Sequence, residues 1–291
     1  MATEMCASRL LAPYYGSSTV VWANIIGLIL AALSLGYWIG GRVADRHPSP
    51  RLLAILVLAA AAWVAAIPFI AKPILDLSVN GIETLSTGTV VGSFAASLAL
   101  FAPPVVVLGT VTPFAIRLAA TGVDDAGRVA GRIFALSTLG SLIGTFGPAL
   151  LTIPLIGTQR TMLVAAAILA LAAAPLLGSK AAAGFAAAAA IAALILVPPG
   201  VVKAEPGLIH EEESRYQFIQ VVERGPERWL YLNEGLAVHS VWRADSVFTG
   251  GEWDAFLTAP ALPGRTPHNI AILGNAGGTT GRALGVYYPE T

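Results

Sequence analysis

The chain has 291 residues, of which 56% are hydrophobic and only 12% charged, with a formal net charge of +0 and a single cysteine, Cys6. A soluble domain carries about 25% charged residues, so this chain cannot coat its whole surface with polar groups. The lone cysteine excludes a disulfide scaffold, and zero net charge without a basic stretch excludes nucleic acid as a partner. The charges are also unevenly placed: residues 1–202 hold 16 of the 34, and residues 203–291 hold the other 18.

In chain order, residues 4–13 form an amphipathic lead-in with Glu4 and Arg9 five residues apart. It lacks the basic start and apolar stretch of a signal peptide and reads as the end of a helix whose beginning is missing. Crossing a bilayer core of about 30 Å takes roughly 20 apolar residues. Five runs qualify: residues 17–41, 52–71, 89–109, 133–156 and 161–177. A sixth, residues 181–197, is uncharged but mostly alanine. Residues 1–202 are therefore expected to form a multi-span membrane bundle of about six helices. Gly27, Gly36, Gly40, Gly140, Gly144 and Gly147 would let those helices approach closely where lipid supplies no hydrophobic drive. Pro103, Pro104, Pro148 and Pro154 would kink them, read here as shape. Cys6 reads as a small buried hydrophobe.

Arginines set the orientation. Residues 42–51 carry Arg42, Arg46 and Arg51, and residues 115–132 carry Arg117, Arg128 and Arg132, whereas 72–88 has only Lys72 and 157–160 only Arg160. The two arginine-rich segments should face the cytoplasm. Six full spans then put residue 203 onward outside; if the alanine-rich segment does not cross, that part faces inside. Both arrangements stay open. The sequence Gly40-Gly41-Arg42-Val43-Ala44-Asp45-Arg46 resembles the loop signature of major facilitator transporters, with Gly41, Asp45 and Arg46 as its motif residues. An interfacial ion pair would need the same residues without any transport. No charge sits mid-span apart from Arg160 near an end, whereas a coupled transport pathway normally carries one.

Pro198, Pro199 and Gly200 stop the last helix. Residues 203–265 read as a small β-meander, with strands over 217–223, 228–232 and 236–242, turns at 224–227 and 233–235, and a short helix over 254–258. Glu211, Glu212 and Glu213 read as a solvated run before a strand, and His210 and His239 as half-buried strand histidines rather than bases. Residues 269–273 have a buried-strand pattern and lead into a glycine-rich turn, Gly274-Asn275-Ala276-Gly277-Gly278, and a helix start. That order opens a nucleotide- or adenosyl-binding α/β domain. One strand and one helix cannot close such a sheet, so the chain reads as truncated at both ends.

Several segments together carry a resemblance. They are residues 4–17, residues 36–46, Glu213-Ser214-Arg215-Tyr216-Gln217, Leu232-Asn233-Glu234-Gly235 with Ala237-Val238-His239-Ser240, Thr249-Gly250-Gly251 with Trp253-Asp254, and residues 272–279. The chain resembles the fused bacterial proteins in which a major-facilitator-like membrane region precedes a spermidine synthase-like, or polyamine aminopropyltransferase-like, domain. The resemblance implies a multi-pass inner-membrane protein. It also implies that residues 266–291 begin a Rossmann-like domain of the adenosylmethionine-dependent methyltransferase type. It implies decarboxylated S-adenosylmethionine as co-substrate, held by Gln217, Gly274, Gly277 and Gly278, with Tyr216 and Asp254 on the substrate side. A polyamine, the lipid bilayer and a second copy of the chain are the implied partners, with no metal.

The departures bear on activity. The glycine turn lacks the family's aspartate, and Glu252-Trp253-Asp254 with Thr258 stand where the family has Tyr-His-Glu and a histidine. The acidic residues for the ribose and for the amine proton would lie after Thr291. No catalytic residue is therefore assigned, and the chain alone is expected to be inactive. A facilitator-like transporter or solute-binding membrane protein with a degenerate synthase-like domain is the alternative, and a membrane scaffold is a third reading.

Overall fold

The computed structural model describes residues 1–80, 88–264 and 267–291. They divide into two compact units, Met1–Val202 and Lys203–Thr291.

Among the described residues, the first unit's regular elements are all helices. Its elements are α1 (Ala2–Tyr15), α2 (Thr19–Arg46), α3 (Pro50–Asn80), α4 (Gly88–Gly109), α5 (Val111–Ala119), α6 (Val123–Gly147), α7 (Ile153–Ala173) and α8 (Ala181–Ala193). A π-helical turn, Pro148–Thr152, joins α6 to α7, and a 3-10 segment, Ala174–Lys180, joins α7 to α8. Helix α2 packs on α4 and α5, α3 on α4 and α7, and α8 on α7. The core gathers Leu11 of α1, Ile25 of α2, Ile67 of α3, Leu100 and Phe101 of α4, and Met162 of α7. Cys6 is buried in it.

Among the described residues, four helical runs are long and apolar enough to cross a membrane: Thr19–Arg46, Pro50–Val79, Val90–Ala119 and Val123–Leu196. Six separate spans were expected. The last three fall in one 74-residue helical run, broken at Gly157 (φ 80°, ψ 169°) and Gly178 (φ 59°, ψ −121°). Glycine takes such angles without a Cβ clash, so the chain bends there without a loop. Residues 181–196 extend only about 24 Å at 1.5 Å per residue, short of the bilayer core.

The helices also run further into the arginine-rich segments than the sequence suggests. Only residues 47–49 and 120–122 interrupt them, and residues 72–80, expected as part of a loop, belong to α3. The remainder of that expected loop, 81–87, lies outside the described residues. The lead-in at residues 4–13 is part of a helix whose Ala7, Leu10 and Leu11 are buried.

Polar side chains inside the bundle find partners, as an apolar solvent demands. Asn24 Nδ2 donates to Val90 O at 3.0 Å and to Ser93 Oγ at 2.9 Å, and Trp63 Nε1 donates to Leu100 O at 3.0 Å. Gly36 and Gly40 face backbone: a Cβ on Gly40 would stand 2.6 Å from Thr110 Cα, and one on Gly36 would run into Val106 O. Gly144 is close only to Met1 and Ala2, while Gly27, Gly140 and Gly147 face open space. Close packing through small residues therefore holds for the α2–α4 contact and not along α6.

The second unit is a four-stranded antiparallel sheet in the order β1-β2-β3-β4: Leu208–Glu213, Phe218–Arg224, Glu227–Leu232 and Val238–Arg243. The β2–β3 hairpin pairs Arg224 with Glu227 across Gly225 and Pro226, and Gly225 takes φ 62°, as the favoured two-residue hairpin turns require. Strand β1 was not expected. Its three glutamates lie within the strand, paired with β2, instead of preceding it. Alternation hides it, because Glu211 and Glu213 are half-buried while His210 and Glu212 are exposed.

A short helix, α9 (Glu252–Ala255), continues as a 3-10 turn, and α10 spans Thr279–Tyr287. The strand expected over 269–273 does not form. Among the described residues no strand lies beside it to complete a ladder, and Leu273 is 96% exposed. An extended run has no backbone partners without a neighbour.

Candidate functional site

Strand β4 provides the platform for the site. At its outer edge Val241 N donates to Thr279 Oγ1 at 2.9 Å, and the same hydroxyl donates to Val241 O at 2.9 Å. The threonine thus stands in for one residue of a fifth strand. Next to it, Gly277 N donates to Ser240 Oγ at 2.8 Å. These bonds pin the glycine turn against the sheet. A Cβ on Gly277 would lie 3.0 Å from Ser240 Cβ and 3.2 Å from Leu230 Cδ2, so any side chain there would have to push these two back by a few tenths of an ångström.

Gly278, at φ 92°, is the N-cap of α10, and its N–H donates to Asn275 O at 2.7 Å. Asn275 Oδ1 accepts from Gly281 N at 3.2 Å and so occupies one of the free donors in the first turn of α10. Ala276 sits at φ 41°, where a Cβ is unfavourable, so the turn holds local strain.

Beside the turn lies a cavity of about 400 Å³, lined by Arg228, Ser240, Trp242, Gly277, Thr279 and Arg282 among others. That volume is in the range of small-molecule sites. The Arg228 and Arg282 guanidinium carbons stand 5.2 and 5.5 Å from the Trp242 ring centre. Arg282 Nη1 also donates to Arg243 O at 2.7 Å. Among the described residues no carboxylate lines the cavity. It can hold a flat apolar group against Trp242, and its cationic rim favours an anion over a polycation.

The sequence-derived residues do not all converge. Gly277 and Gly278 line this cavity. Gly274 (φ 85°) lines a different one of about 270 Å³, with Phe256, Ile270 and Leu284. Tyr216 and Gln217 are exposed in the loop before β2 and line neither. Ser214 holds that loop, its Oγ accepting from Gln217 N at 2.9 Å and donating to Gln217 O at 2.8 Å. The buried glutamine is Gln220, whose Nε2 donates to Lys203 O at 2.6 Å and to Glu211 Oε2 at 3.0 Å.

Asp254 closes its own loop. Its carboxylate accepts from Thr249 N at 3.0 Å, Gly250 N at 2.8 Å and Thr249 Oγ1 at 3.1 Å. Burial pushes the group up, but these three bonds outweigh it and hold the Asp254 carboxyl below its ordinary range. His210 and His239 are exposed strand residues, where half-buried ones were expected. His239 Nδ1 lies 3.0 Å from Ala237 O, and His210 Nε2 3.3 Å from Glu212 Oε2. Among the described residues no group of three His, Cys, Asp or Glu side chains could hold a metal ion.

In the first unit, Asp45 pairs with Arg117 Nε of α5 at 3.5 Å and is 75% exposed, so its charge is met across the helix boundary. Gly41 faces open space and Arg46 is exposed in the last turn of α2. Arg42 stacks 3.6 Å from the Trp38 ring centre.

Sequence reasoning passed over Ser240, Thr279, Arg228, Trp242 and Arg282 as site residues. A signal existed for Ser240: it is a small polar residue on the buried face of β4, where an apolar one would need no partner.

Comparison with known proteins gives one partial match. Over 86 residues, 30% of this chain, the sequence is 37% identical to a "Probable polyamine aminopropyl transferase" of Bifidobacterium longum (strain NCC 2705). The match spans 19% of that relative's length. No family model matches the chain. No solved structure matches it either.

Proposed function

We propose that the chain is a membrane-bound, spermidine synthase-like protein. In this reading, residues 266–291 are the opening strand–helix unit of a Rossmann-like domain and supply part of the cradle for decarboxylated S-adenosylmethionine. The observation that carries the proposal is the glycine turn, held against β4 by Thr279 and Ser240 beside a ligand-sized cavity. The partial identity to a polyamine aminopropyl transferase supports it. Gly277 and Gly278 would approach the nucleoside ligand by backbone, and Trp242 would offer the adenine a stacking face. Gln217 and Gly274 belong to the cradle only if the chain around them closes over the ligand.

The chemistry would be attack of a neutral primary amine on the sulfonium-activated propyl carbon. A C–N bond forms, the C–S bond breaks and the amine proton leaves to a base. The cavity lining offers no such base, so this chain alone is expected to bind the co-substrate without turning it over. Calorimetric titration of the purified chain with methylthioadenosine and with decarboxylated S-adenosylmethionine tests this. Binding of both, abolished by Gly277→Leu, supports the proposal. No binding of either, or spermidine formation from putrescine by this chain, counts against it.

A second reading is a facilitator-like or solute-binding membrane protein with a degenerate synthase-like domain. The cavity's two arginines and lack of carboxylates favour it, because a polyamine would be repelled there. Binding of an anionic nucleotide in preference to decarboxylated S-adenosylmethionine would select it.

A further inference from the structure

We propose that the helical unit holds a phosphate-type oxyanion carried by a membrane lipid, in a cavity where Arg160 is the binding cation. The cavity has about 300 Å³ of free volume and lies between α1, α3, α7 and the segment after α8. Its lining is mostly apolar, including Leu10, Phe69 and Leu163, and its polar side chains are Lys72, Gln159 and Arg160.

The two cations differ in what they face. Lys72 Nζ lies 2.6 Å from Asp76 Oδ2, and Asp76 Oδ1 also accepts from Tyr14 Oη at 2.9 Å. That ammonium is already neutralised. Arg160 differs: the residue is half-buried, and its Nε is enclosed and makes no hydrogen bond among the described residues. An enclosed N–H of a cation without an acceptor is costly, and the cost is relieved when an anion accepts from it. Charge is therefore unbalanced on the wall of a cavity whose remaining surface is apolar.

The backbone adds to this. The helix restarts after Gly157, so Gln159 and Arg160 stand in the first turn of its continuing segment, at the positive end of the dipole. A guanidinium fork matches phosphate oxygens, and an apolar lining suits a carrier with hydrocarbon chains. Free phosphate shares the headgroup chemistry but leaves the apolar lining unused.

Native mass spectrometry of the purified chain in neutral detergent tests the proposal. Phosphatidylglycerol and diacylglycerol, which has the same hydrocarbon chains and no phosphate, are added at equal mole fraction. The expected result is about tenfold stronger retention of phosphatidylglycerol. Arg160→Gln should reduce it to the diacylglycerol level, Arg160→Lys should keep part of it, and Arg51→Gln, an exposed arginine at the start of α3, should leave it unchanged. If Arg160→Gln does not fold, Leu163→Trp serves instead: it fills the cavity with the charge in place and should also abolish retention. Equal retention of the two lipids, or an unchanged Arg160→Gln or Leu163→Trp, overturns the proposal. So does inorganic phosphate that binds the lipid-free chain as tightly as the lipid does.

Discussion

Helices α2 and α6 are built from similar material and are used in opposite ways. Both are long, apolar and rich in glycine, at 28 and 25 residues. In α2, Gly36 and Gly40 sit where α4 and α5 come within contact of its backbone. In α6 no residue is buried, and Gly140 faces open space. Glycine spacing thus permits a close approach but does not create one. A partner helix with a matching small surface is also needed, and Gly109 and Thr110 supply it for α2 alone.

The largest effect that would break this contrast is expected at the closed position. Gly40→Leu must displace Thr110 backbone, and overpacking of that kind costs upwards of about 3 kcal/mol. The melting temperature of the purified chain in detergent should fall by many degrees. An unchanged melting temperature would mean that the α2–α5 approach is not tight.

The same contrast extends to the second unit, where Gly277 is closed against Ser240. Thr279→Val removes both bonds to Val241 and leaves a buried N–H without its acceptor, at about 1–3 kcal/mol. Amide exchange over residues 275–287 should quicken while that of β2 stays slow. Equal quickening in both would show that the turn and the sheet unfold together.

Asp254→Asn is expected to cost about 1 kcal/mol at neutral pH, since the amide can replace only part of the acceptor set. The carboxyl is depressed in the folded chain relative to its ordinary value of 3.8. Its contribution is therefore full above that value and is lost as pH falls below it through the folded-state value. Wild type and variant should converge in stability at strongly acid pH. A constant gap between them across the acid range would refute the carboxylate's role.

The smallest effect belongs to the open position. Gly140→Ala should be neutral or stabilising by up to about 1 kcal/mol, because helix propensity improves and no neighbour is met. A clear fall in melting temperature would reveal a partner surface on α6.

Much of the bundle was legible in the sequence, because runs such as residues 17–41 and 52–71 have no soluble alternative. The glycine-kinked joints at Gly157 and Gly178 were not, since hydropathy does not distinguish a loop from a bent helix. The β2–β3 hairpin was legible from Gly225-Pro226 between alternating strands. Strand β1 was missed because Glu211 and Glu213 stand where apolar residues signal a strand, and Glu211 is held there by Gln220 and not by burial of hydrocarbon. At the site, glycines announce the turn at residues 274–278, yet nothing local announces that Thr279 and Ser240 anchor it, because those bonds join residues 37 and 38 positions apart. Gln217 carried a motif, and Gln220 three residues later carries the hydrogen bonds.

The Thr279 hydroxyl has a consequence for solubility. A short antiparallel sheet has two rims, and an uncovered rim recruits strands from other molecules. At Val241 one side chain satisfies both the donor and the acceptor that an incoming strand would seek, and Gly277 occupies the adjoining position on Ser240. The contact that places the glycine turn at the cavity therefore also blunts one rim against edge-to-edge aggregation, a protection that loss of a single oxygen would remove.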